Sequence, residues 1–220
     1  MFSTKMLMLI GEGTLETFYM TLFSTAFAYL IGLPLGLLLV ISDPDGIHPM
    51  PTLNKVLGTF INLLRSVPFL ILLMALMPTT RFIVGTSIGS TATIPPLVIA
   101  AFPFVARMVE SSVKEVDAGV IEAAQSMGAS TLQIVCKVLL PEAKPSLLMG
   151  AAIATTTILG YSAMAGIVGG GGLGAIAINY GYYRKKVDIL WVMVIFLSLI
   201  VQLFQTLGEK ASRKVDKRIR

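Results

Sequence analysis

Five long stretches nearly free of charge punctuate this chain, separated by short polar or breaker-rich segments. Residues 17–42 hold no charged side chain and are dominated by Leu, Ile, Phe and Gly. At about 1.5 Å per helical residue, such a stretch crosses a hydrocarbon core about 30 Å thick. The residues before it are mixed, with Lys5 the only basic one, so a retained span is expected rather than a cleaved signal peptide. The clusters Ser42-Asp43-Pro44-Asp45-Gly46 and Pro49-Met50-Pro51 predict a loop after it. A second span is expected at residues 56–77, with Arg65 inside it and Pro78 and Arg81 ending it. A third follows at 94–109, where Arg107 and Glu110 stand one helical turn apart at the far end. A fourth is expected at 147–168 and a fifth at 189–207, with a glycine-rich connector (Gly169 to Gly172, and Gly174) after the fourth.

Composition strengthens the membrane reading. The chain is 55% hydrophobic and 13% charged, with a mean hydropathy of +0.83. A soluble domain carries about 25% charged residues, so this chain lacks the polar side chains to cover a water-facing surface. The expectation is an all-α integral membrane protein of about five transmembrane helices, forming a single membrane-spanning domain over residues 1–220. One cysteine, Cys136, excludes an intrachain disulfide framework, and one histidine, His48, leaves little for a metal site. No catalytic residues, metal or cofactor are expected, and the chain does not read as an enzyme.

Residues 110–145 break the pattern. Glu110, Lys114, Glu115, Asp117, Glu122, Lys137, Glu142 and Lys144 are too many charges for lipid, so a water-exposed hairpin of two short helices is predicted. Val120, Ile121, Ala124 and Met127 fall on one helical face and are expected to hold the first helix down. Gly128 is placed as a C-terminal cap, Ser130 with Gln133 forms a capping-box signature for the second helix, and Pro141 is expected to help stop it. Small residues keep the exposed surface slim enough to enter a groove on a partner.

Lys and Arg set the expected orientation. With five spans, the hairpin, the 42–55 loop and the basic tail share one side. Counting Arg65 and Arg107, that side carries twelve of the 17 basic residues, six of them between Lys210 and Arg220. The other side carries five: Lys5, Arg81, Arg184, Lys185 and Lys186. The N-terminus is therefore expected outside and the C-terminus inside, although the Arg184–Lys186 cluster opposes the trend. The tail adjoins a span and reads as an electrostatic anchor to anionic membrane lipid rather than a nucleic-acid binder.

The hairpin resembles the EAA loop of bacterial ABC importer permeases, whose pattern is Glu-Ala-Ala, three residues, Gly, nine residues, Ile, one residue, Leu-Pro. Glu122, Ala123, Ala124, Gly128, Leu140 and Pro141 match it, and Val138 stands in for Ile. Arg65-Ser66-Val67-Pro68-Phe69, residues 81–89, residues 103–110 and residues 160–174 extend the likeness over nearly the whole chain to one branch, the permeases of methionine importers. The resemblance implies several things. The short cytoplasmic helix would be a coupling helix that docks on a separate homodimeric ABC ATPase, where ATP is hydrolysed. The permease would pair with a second copy of itself and receive cargo from an extracytoplasmic substrate-binding lipoprotein. The cargo would be an amino acid, with L- or D-methionine first and another small amino acid or related solute as the alternative. The location would be the bacterial cytoplasmic (inner) membrane, spanned several times.

Other features have plainer readings. Gly169-Gly170-Gly171-Gly172-Leu173-Gly174 formally fits G-x-G-x-x-G, but it follows no strand and no G-K-[ST] is present, so a flexible or closely packed connector is expected rather than a nucleotide loop. Gly32-Leu33-Pro34-Leu35-Gly36 has the small-xxx-small spacing of helix contacts in membranes, or else marks a kink at Pro34. Tyr161, Ser162 and Met164, among small neighbours, are candidates for a gate on the translocation pathway. An ion-coupled secondary transporter is the competing class. It usually needs ionisable groups near the midplane, and residues 146–183 and 189–207 offer none except tyrosine.

Overall fold

The computed structural model describes residues 4–216, which are helical almost throughout. Residues 1–3, at the terminus expected outside, and the tail beyond residue 216 lie outside the described residues. Helix α1 (Thr4–Ile41) is followed by α2 (Pro51–Arg65), α3 (Phe69–Val84) and α4 (Ser90–Lys114). The hairpin supplies α5 (Ala118–Ser126), α6 (Thr131–Ile134), a π-helical turn (Val135–Leu139) and the single-turn α7 (Leu140–Glu142). Then come α8 (Lys144–Ala165), a 3-10 turn (Gly166–Val168), α9 (Gly172–Ile176), a π-helical stretch (Ala177–Tyr183) and α10 (Val187–Val215). Helices α1, α4, α8 with its 3-10 extension, and α10 are each long and apolar enough to cross a membrane, and α2 with α3 makes a fifth if the bent pair is one span.

Three sequence expectations need correction here. Residues 56–77 are not one straight span: the chain bends by 99° between α2 and α3, at Ser66-Val67-Pro68. Proline disfavours helical backbone in the residue before it, so the turn falls at Pro68. Pro78 does not end the second span but lies inside α3, which stops at Gly85 in the left-handed conformation (φ 85°). Pro141 does not stop the hairpin's return helix either. The backbone widens into the π-helical turn just before it, where the N–H of Leu140 reaches back to the carbonyl of Val135. That wider turn accommodates a ring that clashes with a regular helix.

Backbone contacts divide the chain into two compact units that share the long helices. One comprises residues up to Phe27, Val67–Ala101 and Thr155–Gln205. Its apolar centre is Ile10, Leu159, Leu173, Ile176, Ile189, Met193 and Ile200. The glycine-rich connector is threaded through it rather than left flexible. Glu16 accepts the N–H of Gly172 at 2.6 Å and Thr17 accepts that of Leu173 at 2.9 Å. The N–H of Gly89 donates to Gly169 O at 2.9 Å. A Cβ on Gly171 would collide with Ser90 Oγ and the Glu16 carboxylate.

The other unit comprises Ala28–Ser66, Phe102–Ala154 and the segment from Thr206. Leu39, Ile61 and Ala106 form its centre, flanked by Leu35 and Leu57. Here Gly32 and Gly36 do mark a helix contact. A Cβ on Gly32 would stand 2.7 Å from Val105 Cγ1, and one on Gly36 would stand 2.5 Å from the carbonyl oxygen of Ala106. Helices α1 and α4 therefore approach through two missing side chains, while Pro34 sits within an unbroken α1.

Candidate functional site

The hairpin is built by local rules. Asp117 caps α5 by accepting the N–H of Gly119 at 2.7 Å. At the other end Gly128 takes φ +78°. Its N–H donates to Gln125 O at 2.9 Å, and that of Ala129 to Ala124 O at 3.1 Å, the paired bonds that close a helix through a left-handed residue. Ser130 then opens α6 with both halves of a capping box: Gln133 Oε1 accepts the N–H of Ser130 at 2.8 Å, and Ser130 Oγ accepts that of Gln133 at 3.4 Å. Two helices are thus reversed within four residues.

This turn decides what the hairpin presents. Glu122 and Ala123 are exposed, Ala124 is buried, and Ile121 is half-buried. The expected anchoring face is only half correct, because Val120 is exposed and Met127 is 81% exposed. Met127 is the residue that follows the last turn of α5, where 3.6-residue periodicity no longer governs direction. Leu132, on the far side of the turn, is 73% exposed, so both ends of the turn carry an uncovered apolar side chain. The second half of the motif lies on the return helix, with Val138 and Leu140 half-buried, Pro141 exposed and Leu139 fully buried between them.

The root of the hairpin is fixed by charge. Arg107 donates to Glu110 at 2.6 Å through Nη1 and to the carbonyl of Gly58 at 3.0 Å through Nη2. Lys114 reaches Glu110 at 3.1 Å and Asp43 at 2.8 Å. The Asp43 carboxyl is held below its ordinary value chiefly by the Lys114 hydrogen bond. A cavity of about 470 Å³ lies beside this pair, lined by Asp43, Asp45 and Ile47 on one side and by Ala118, Ile121 and Glu122 on the other. The cavity thus separates the start of α5 from the loop after α1.

This combination of apolar spans and an exposed, rigidly turned hairpin can be set against known proteins. A family described as the binding-protein-dependent transport system inner membrane component matches residues 32–220. The chain belongs to that family. It is similar to a probable D-methionine transport system permease protein MetI of Vibrio cholerae, 49% identical over 210 residues that cover 96% of this chain and 93% of the relative. It is also similar to the methionine import system permease protein MetP of Bacillus subtilis, 44% identical over 209 residues, 95% and 94% of the two chains. A chain from the solved inward-facing conformations of the MetNI methionine ABC transporter superposes with a TM-score of 0.97 at 44% identity, covering 98% of this chain and all of that one.

As an inner-membrane transport component, the chain needs a pathway rather than reaction chemistry. Among the described residues no group of three His, Cys, Asp or Glu side chains is placed to hold a metal ion. The three gate candidates on α8 do not act alike. The Tyr161 ring stacks on Phe69 with centroids 4.5 Å apart and 8° between planes. Ser162 is buried and donates back to Leu159 O at 2.8 Å, so its hydroxyl is already used. Met164 is half exposed, and with Gly160 of α8 and Ile167 of its 3-10 extension it is left uncovered at i, i+4, i+7 spacing. Asp117, Met127, Leu132 and the Asp43–Lys114 bridge join the site without having been expected from the sequence pattern. Asp117 before Ala-Gly is a readable cap signal, whereas the bridge joins positions 71 apart and leaves no local trace.

Proposed function

We propose that this chain is the permease subunit of an ATP-driven methionine importer, two copies of which form the translocation pathway. The observation that carries this reading is identity of 44–49% with methionine-system permeases over nearly their whole length. The hairpin is the coupling element: Glu122 and Ala123, with the apolar tip at Met127 and Leu132, enter a cleft on a separate ATPase. Ala124, Gly128, Val138, Leu140 and Pro141 shape and hold that surface. ATP binding draws the two docked hairpins together, and the rigid root passes the motion to α4 and, through Lys114–Asp43, to the loop after α1. The pathway between the two copies then opens outward to cargo released by an external binding protein. The uncovered Gly160–Met164–Ile167 strip faces the second copy, with Tyr161 and Met164 near the pathway. The side with twelve basic residues is cytoplasmic. The test is purification from native membranes: an ABC ATPase recovered in stoichiometric amount supports the reading, and a chain that transports without one overturns it.

A further inference from the structure

The turn before α10 contains three consecutive cations, Arg184, Lys185 and Lys186, all exposed. None of them is in an ion pair among the described residues, and Asp188, in the first turn of α10, stands without a basic partner there as well. Lys185 adopts φ 55°, left-handed backbone that a non-glycine residue rarely occupies. Arg184 is pinned over the Tyr180 ring, with Cζ 4.4 Å from its centroid. Around the cluster, Tyr182 and Tyr183 are 69% and 62% exposed, and Trp191 is 63% exposed one turn into α10. That helix is the most apolar span of the chain, so the turn lies where the span leaves the hydrocarbon, whichever side it faces. We infer that Arg184, Lys185 and Lys186, framed by Tyr182, Tyr183 and Trp191, bind the phosphate headgroup of an anionic membrane lipid.

The physical case rests on two independent features. Tyr and Trp concentrate at headgroup depth, where one end of the ring is apolar and the other wet, and this places the site in the membrane interface rather than on a water-facing knob. Unpaired cations at that depth gain from anionic headgroups, with each Lys or Arg contributing attraction that a zwitterionic surface does not supply. An acidic face of a soluble partner would equally suit the charges, but it gives no reason for three exposed aromatic rings at the mouth of an apolar helix. The inference is independent of the transport reading.

Trp191 is the only tryptophan in the chain, so its fluorescence reports on this turn alone. The purified protein is reconstituted in vesicles containing brominated phosphatidylglycerol or, separately, brominated phosphatidylcholine at equal mole fraction. Quenching about three-fold stronger by the anionic lipid is expected, and lost in the triple variant Arg184→Gln/Lys185→Gln/Lys186→Gln. The charge-conserving Arg184→Lys/Lys185→Arg variant should retain the preference, which separates headgroup binding from a folding defect. Inorganic phosphate should not compete, since the site takes a membrane-held headgroup. Equal quenching by the two lipids, a preference that survives the triple variant, or displacement by free phosphate would overturn the inference.

Discussion

At Gly128 nothing lies within 4 Å of where a Cβ would stand, yet the backbone is left-handed at φ +78°. A substitution there costs conformation rather than space. Gly128→Val should lose about 1–2 kcal/mol locally and misdirect α5, whereas Glu122→Ala, on an exposed position, should cost at most about 0.5 kcal/mol. Both variants are expected to insert at normal levels and to lose transport, measured as membrane yield beside uptake. The Asp43–Lys114 pair is half exposed and contributes less than about 1 kcal/mol to folding, so its weight lies in position. Because the folded-state value of Asp43 is lowered, its contribution is complete above the ordinary value of 3.8 and is lost as pH falls through the lowered one. The stability difference between wild type and Asp43→Asn, followed by thermal unfolding, should therefore stay constant from about pH 8 to 5 and shrink only at more acid pH.

Helix elements divide into those whose cause is local and those whose cause is a neighbour. Gly32 and Gly36 are filled against Val105 and Ala106, so Gly32→Val should lower stability by about 1–3 kcal/mol, read as a lower melting temperature in detergent. Much of the hairpin was legible for the same reason that its caps work: Gly128, Ser130 and Gln133 act within a few residues of themselves. The small-xxx-small reading of α1 and the five apolar stretches were legible because lipid imposes length and apolarity directly. What misled was proline. Pro68, Pro78 and Pro141 share a ring and a missing N–H, but one bends the chain by 99°, one is absorbed into α3 and one is relieved by a π-helical turn. Those outcomes depend on what the flanking backbone can bond to elsewhere. Of the two readings of the glycine connector, flexible or closely packed, the fold takes the second, because it brings Glu16 and Thr17 of α1 to the connector's N–H groups, 156 residues away.

For the molecule as a whole, topology and coupling stand or fall together, because a hairpin on the wrong side could not meet an ATP-driven partner. In a Cys136→Ser background, a cysteine introduced at Ser212 or Glu122 should react with a membrane-impermeant thiol reagent only from the cytoplasmic side, and one at Arg81 only from outside. The reverse pattern would remove the docking role from Glu122 and Gly128. The most direct measurement is uptake of labelled methionine into proteoliposomes holding this permease, its co-purified ATPase and the binding protein, with no ion gradient. The account predicts uptake that requires ATP and is lost in both Gly128→Val and Glu122→Ala while both variants remain inserted. Methionine uptake that proceeds without ATP on an imposed ion gradient, or that is near normal in both variants, would contradict it.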